Sequence, residues 1–466
     1  MRSFWLLSSL FVFNHPSKAG KPLEFDQAVD HFNTRGTFKQ RYLYDDEFQN
    51  PQAEYPIVLV KVEGEKDGKE MEPIGTYVNQ VAYELKATVV ALEHRFYGES
   101  IPVKSPPLGD LKQLFTIGQA IEDLHTFQEH IISKYKLENA RFLLMGCSYP
   151  GSLAAWTRLT YPTLFVGAVA SCPVLGLQYD YPEYNNAVAA AFSDPRLGGS
   201  VECLSFIQRA SSILKRSLRT QSGRRYLEEF YNLPNAYLED EGSKWFWVAR
   251  MPPNIIVQGN QLYCDSPLCN IRKICHYIAG EDKSTEEEVM TVYRETLYQD
   301  SPRASRLTYS AYISALKQRN NLQSYKLYEF QRCSQWFAFQ SCNEGSSCPF
   351  IQDAAVLNNE QSICQDAFSM SKTDVQNRIS ELLLKFGGRQ LPNATNILVV
   401  LGDSDPWKEA GKIDKANKGL SVFEVLRASH CYWMVPDSQR SKDVDDAIEK
   451  MVGAIKSWTS SRASSS

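Results

Sequence analysis

Apolar positions fall into short, β-branched-rich runs toward both ends of the chain and into helix-spaced positions between them. Seven runs, TFKQRYLY, PIVLVKV, ATVVALEHRFYG, ARFLLMG, VGAVASCPVL, NILVVLGDSDP and SVFEVLRASHC, are bounded by turn residues and predict buried strands. Between the third and fourth, Leu114, Ile117, Ile121, Leu124, Phe127 and Ile131 recur at helical spacing within a predicted helix over 111–135. Strand, helix, strand and helix in alternation predict an α/β fold with a mostly parallel sheet.

From about Leu177 to Phe386 the texture changes to helical, aromatic and charged segments such as YLEEFYNLPNAYLEDEGSKWFWVAR, with few strand-like runs. This stretch reads as a helical insertion between two parts of one sheet domain. The strand pattern then resumes, and Val444, Ile448, Met451, Ile455 and Trp458 line one face of a closing helix. The predicted organisation is therefore residues 20–176 and 387–459 as the two parts of the sheet domain, 177–386 as a cap, and a serine-rich, disordered tail over 460–466. No internal repeat is visible.

At 466 residues and 43% hydrophobic content the chain can bury a large core, and it exceeds one ordinary domain. A formal charge of −4 from mixed signs supplies neither a basic face for nucleic acid nor an acidic tail. Residues 1–19 carry Arg2, the apolar run FWLLSSLFVF, and Ser17 and Ala19 at signal-peptidase spacing, so cleavage is expected after Ala19. Ten apolar residues are too few to span a bilayer, and no membrane anchor is expected. The mature chain is expected to be secreted or endolysosomal.

Eleven cysteines suit that oxidising route. Eight lie between Cys203 and Cys364 and are expected to pair among themselves, in a connectivity that spacing does not give. Cys147, Cys172 and Cys431 lie outside that cluster and are expected to stay reduced, Cys172 and Cys431 as small apolar fillers. No cysteine pair stands at zinc spacing to a histidine, so neither metal nor cofactor is expected. Asn393, in the sequon Asn393-Ala394-Thr395, is a surface glycosylation candidate.

The run FLLMGCSYPGSLAA breaks from strand to helix around Ser148, with Gly146 two residues before it and Gly151 three after. Small residues at such a break often make only a tight turn. The sharper reading is a nucleophile elbow, although Pro150 occupies the place two after the serine where glycine is usual. A serine nucleophile needs a histidine base and a carboxylate that orients it. Of seven histidines only His430 follows the insertion, and Asp405, at the end of NILVVLGDSDP, precedes it. The order Ser148, Asp405, His430 is that of an α/β-hydrolase, and it outweighs the plainer readings of an Asp-Pro turn and a half-buried histidine.

These residues lie in motifs that resemble the lysosomal serine exopeptidases, a family that includes prolyl carboxypeptidase, dipeptidyl peptidase II and the thymus-specific serine protease. The resemblance runs through FDQAVDHFN, LEHRFYGES, GCSYPGSLAAWTRLTYPTLFVGAVASCPV, RCSQWFAFQSC, GDSDPW and SHC. It implies an α/β-hydrolase fold with a large disulfide-rich helical cap. It also implies Ser148 as nucleophile, Asp405 as orienting acid, His430 as general base, and cleavage at proline near peptide ends. The substrates are then peptides, and a homodimer stays open.

Several family positions differ. Cys147 replaces a glycine before the serine, Val62 and Glu63 stand where paired glycines are usual, Leu401 replaces an asparagine and Trp433 an aspartate. An oxyanion hole would take one N–H from Tyr149 and a second from the loop of Val62, Glu63 and Gly64, whose backbone the first two restrict. EHRFYG (Glu93–Gly98) reads as a structural strand end. Trp407 reads as core or as one wall of a proline pocket. Two alternatives survive: a weak or inactive peptide-binding homologue, favoured by the altered loop, and an esterase or lipase-like hydrolase.

Overall fold

The computed structural model describes residues 20–65, 71, 75–250, 254–298, 307–320, 322–336, 338–414, 419–434 and 441–460. The expected signal peptide (1–19) and residues 461–466 of the expected tail lie outside these. Ser460, assigned to the tail, is the last residue of the closing helix Lys442–Ser460.

Among the described residues eight strands make one sheet: β1 (Leu23–Ala28), β2 (Thr37–Asp45), β3 (Ile57–Val62), β4 (Thr88–Leu92), β5 (Arg141–Cys147), β6 (Phe165–Ser171), β7 (Ile397–Gly402) and β8 (Leu420–Val425). Their spatial order is β1-β2-β4-β3-β5-β6-β7-β8. The first two pairings, β1 with β2 and β2 with β4, are antiparallel and the rest are parallel. This is the α/β-hydrolase fold. β4 and β7 are buried at every residue, as expected of parallel strands covered by helices on both faces. β8 closes one edge with mostly exposed or half-exposed residues, including Glu424, a composition that blunts edge-to-edge pairing.

The seven predicted strands are all present, and β1 is an addition. It is a single edge strand with only Phe25 and Gln27 buried, so its apolar signal is weak. The helix expected over 111–135 is two helices, Leu108–Leu114 and Ile117–Tyr135, because Thr116 adopts extended backbone and caps the second by accepting the Gln119 N–H. All six predicted apolar positions are buried.

Between β6 and β7 the chain is helical, and four disulfides staple it: Cys203–Cys275, Cys264–Cys269, Cys333–Cys364 and Cys342–Cys348. These are the eight clustered cysteines, paired among themselves. The last helix of this stretch, Lys372–Phe386, returns to the sheet domain, where Phe386 stacks on Trp156 at 5.0 Å. Asn393 is exposed on the loop that leads to β7. Among the described residues, no helix is long and apolar enough to cross a membrane.

Candidate active site

Ser148 stands between β5 and the helix Tyr149–Thr160, with φ 63° and ψ −129°. A non-glycine residue holds such backbone only when its surroundings over-determine it, which is how an elbow thrusts its side chain out of the strand. The N–H of Ser148 donates to the Ser171 carbonyl at 2.9 Å, anchoring the elbow to β6. Both flanking glycines are required by close approach. A Cβ on Gly146 would lie 2.2 Å from the Pro150 carbonyl oxygen, and one on Gly151 would lie 2.6 Å from that of Ser171. The turn therefore works with its second glycine one place later than usual. Pro150 fits the gap because the first helical turn needs no N–H there.

Asp405 follows β7 and is buried. Its Oδ2 lies 2.8 Å from Nδ1 of His430, and its Oδ1 accepts the Trp407 N–H at 2.9 Å. With Asp405 ionised, Nδ1 must donate, which leaves the lone pair of the opposite nitrogen, Nε2, available. Nε2 is buried and has no hydrogen-bond partner among the described residues. Asp403, the other acid at this strand end, turns instead to Arg196 of the cap, with 3.1 Å between Nη1 and Oδ2, and burial raises its carboxyl above the usual range despite that partner.

The loop carrying His430 rests on the cap. His430 donates its N–H to the Gln258 carbonyl at 3.1 Å, and Ser429 donates its hydroxyl to the Asn260 carbonyl at 2.9 Å. The Gln258 side chain accepts from Trp407 Nε1 at 3.1 Å and from the Tyr184 hydroxyl at 2.9 Å, so one cap residue braces both the base loop and an aromatic wall. Trp433 is fully buried and donates its Nε1 to Ser171 Oγ at 3.1 Å, pinning the far end of the loop to β6.

One cysteine expectation fails. Cys147 and Cys431 form a disulfide with Cα atoms 6.5 Å apart, joining the residue before the serine to the residue after the histidine. Reading Cys147 as reduced and Cys431 as a reduced apolar filler treated each alone, whereas folding brings β5 and the base loop together. Cys172 alone is free. It is buried, its Sγ accepts the Cys431 N–H at 3.0 Å, and burial, then the neighbouring Asp405, push its thiol well above the usual range.

Tyr149 is the first residue of its helix, where an N–H has no intrahelical acceptor. Its ring is anchored from EHRFYG. Burial holds His94 neutral by lowering its pKa to about 4. The His94 Nδ1 donates to the Arg95 carbonyl at 2.8 Å, so its Nε2 accepts from the Tyr149 hydroxyl at 3.0 Å. The rest of EHRFYG is structural. Arg95 donates two bonds to Asp123, both at 2.6 Å, and Glu93 pairs with Arg41 at 2.6 Å. The tie between His94 and Tyr149 left no sequence signal, since the partners lie in separate motifs.

Of the loop proposed for the second oxyanion donor, Val62 is the last residue of β3, paired in register with Leu92. Glu63 pairs with Lys61 at 2.8 Å. Gly64 is the residue that reaches the elbow: a Cβ there would lie 2.4 Å from Pro150 Cγ and 3.4 Å from Tyr149 Cδ1. The next residue, Glu65, has its carboxyl raised to about 7 by burial, against a lowering pull from His430. Trp407 is buried, stacks on Tyr181 at 5.4 Å, and meets Tyr184 and Trp336 edge-on at 5.0 and 5.9 Å; Trp336 in turn stacks on Tyr149 at 6.4 Å.

The sequence profile described as serine carboxypeptidase S28 matches residues 27–448. The thymus-specific serine protease of Mus musculus is 27% identical over 437 residues, covering 90% of this chain and 84% of its own. The lysosomal Pro-X carboxypeptidase of Homo sapiens is 26% identical over 426 residues, covering 88% of this chain and 82% of its own.

Proposed function

Because the chain belongs to the serine carboxypeptidase S28 family, a family of serine peptidases, we propose that it is an exopeptidase that cuts beside proline near peptide ends through Ser148, Asp405 and His430. The observation that carries this reading is the 2.8 Å pair of Asp405 and His430, with Nε2 left unbonded, together with a serine held in elbow backbone next to Cys147, which is bridged to the residue after the histidine. In the proposed reaction Ser148 Oγ attacks the scissile carbonyl as its proton passes to Nε2. Asp405 holds the ring and supports the cation, the amine leaves with that proton, and water then releases the acyl group by the same route. The N–H of Tyr149 supports the oxyanion, with a second donor from the loop at Gly64.

Trp407, Tyr181, Tyr184 and Trp336 form a buried aromatic cluster beside Asp405, and Trp407 is proposed as one wall of the proline subsite. Peptides are the proposed substrates. A secreted or endolysosomal site of action is supported by the disulfides, which persist in oxidising compartments, and by the lysosomal name of the human relative. A fluorophosphonate probe tests the core of the reading. It is expected to label wild type, to lose all labelling in Ser148→Ala, and to label His430→Ala far more slowly. Equal labelling of Ser148→Ala would overturn the assignment. Matched proline peptides blocked at one end or the other then show whether the enzyme is of the carboxypeptidase or the dipeptidyl-peptidase type.

A further inference from the structure

We propose that the Cys147–Cys431 disulfide is a positioning clamp that sets the geometry between the Ser148 nucleophile and the His430 base, and that hydrolysis runs at full rate only while the clamp is closed. The inference rests on the peptidase reading above.

The clamp sits where such geometry is decided. Cys147 is the last residue of β5 and immediately precedes Ser148; Cys431 immediately follows His430. Both sulfurs and a ring nitrogen of His430 lie within 4.8 Å of one another. β5 has no direct pairing with the strands that carry the acid and the base, because β6 and then β7 and β8 follow it in the sheet. The bridge spans a sequence separation of 284 and is the single covalent link across that distance among the described residues.

The other ties of the base loop run to Asp405 and Ser404 on the acid loop, to Gln258 and Asn260 in the cap, and to Cys172 and Ser171 at the end of β6, where Ser171 also accepts the Ser148 N–H and so gives a hydrogen-bonded, non-covalent link to the elbow. None of these bonds runs directly between the base loop and residues 146–149. Both joined segments also hold strained backbone, with φ 63° at Ser148 and φ 52° at Cys431. L-residues leave that region readily when a constraint is released. A displacement of about 1 Å between reacting groups costs on the order of a hundredfold in rate. The four cap disulfides are placed differently, since each joins two residues within the cap.

Cys147 is half-buried, so the bridge is not sealed in the core. A reductant thiolate attacks one sulfur, giving a mixed disulfide and releasing the other cysteine as a thiolate. The second reductant thiol then displaces the first cysteine and closes a cyclic disulfide. The dithiol is oxidised by two electrons, and Cys147 and Cys431 take up those electrons and two protons.

The test measures kcat and KM on one proline peptide before and after mild treatment with a dithiol, with a chelator present because two free thiols and His430 would form a metal trap. Mass spectrometry after alkylation identifies which bridges have opened, and reoxidised protein and Cys147→Ser/Cys431→Ser are assayed in parallel. The expected result is a tenfold to hundredfold fall in kcat that tracks alkylation of Cys147 and Cys431, with KM changed less than twofold and kcat restored on reoxidation. The double variant should start with the low kcat and ignore the dithiol. A bridge that served stability alone would lower thermal resistance and leave kcat intact at a temperature well below unfolding, and that result overturns the clamp. So does a double variant that loses activity with the dithiol as wild type does, or active protein in which Cys147 and Cys431 are already free. Fluorophosphonate labelling separates the two proposals: equal labelling before and after reduction sinks the clamp and keeps the peptidase, whereas no labelling of oxidised protein sinks both.

Discussion

Replacing Glu65 with glutamine should change how stability depends on pH. In the folded protein burial raises the Glu65 carboxyl from its ordinary 4.5 to about 7. Between these values the folded chain binds a proton that the unfolded chain has released, so stability falls as pH rises. The contribution is present in full below pH 4.5 and is gone once pH has risen through about 7. At ~1.4 kcal/mol per pH unit the whole effect is ~3 kcal/mol, and the solvent contact that the side chain keeps reduces it to about 2 kcal/mol. Glutamine has no proton to lose. The stability of Glu65→Gln relative to wild type should therefore climb by about 2 kcal/mol between pH 4.5 and 7.5, while titrating groups not coupled to Glu65 cancel in the comparison. Equilibrium urea unfolding of both proteins across that range, with disulfides intact, measures the difference. A difference that stays constant within about 0.5 kcal/mol would refute the reasoning, since the carboxyl would then be as well solvated in the folded protein as in the unfolded one.

Two further outcomes follow from the site. Asp405→Asn should keep the fold and substrate affinity but lower kcat by about 10³–10⁴-fold, because the amide no longer holds the tautomer that leaves Nε2 free; steady-state kinetics checks it, and a loss below tenfold would count against Asp405 as the orienting acid. Gly64→Ala should lower kcat about a hundredfold with little change in KM, because its Cβ would lie 2.4 Å from Pro150 Cγ and must push the loop off the elbow, and unchanged kinetics would exclude that loop from the oxyanion site.

Much of the sheet was legible because its parallel strands are buried on both faces and so read as continuous apolar runs between turns. β1 escaped because it alternates and lies at an edge. The places of Ser148, Asp405 and His430 at the ends of strands were legible for a similar reason, since each follows a recognisable apolar run. What remained hidden was whatever depended on contacts across the fold. The Cys147–Cys431 bridge joins positions 284 apart, and nothing near either cysteine announces the other. Gln258 braces the base loop partly through its carbonyl, a group every residue carries. His94 looked like part of a strand end, and it is, yet its second nitrogen holds Tyr149.

The seating of the base loop on Gln258 and Asn260 gives the cap a part in maturation. The sheet domain is interrupted by some two hundred residues of chain, and the backbone bonds that fix His430 are supplied from within that interruption. A nascent molecule whose cap is unfinished has its serine and acid on their strands but lacks the two cap carbonyls on which the histidine loop rests. The geometry of the base therefore depends on a folded cap as well as on the sheet, so damage confined to the stapled helices reaches the candidate site.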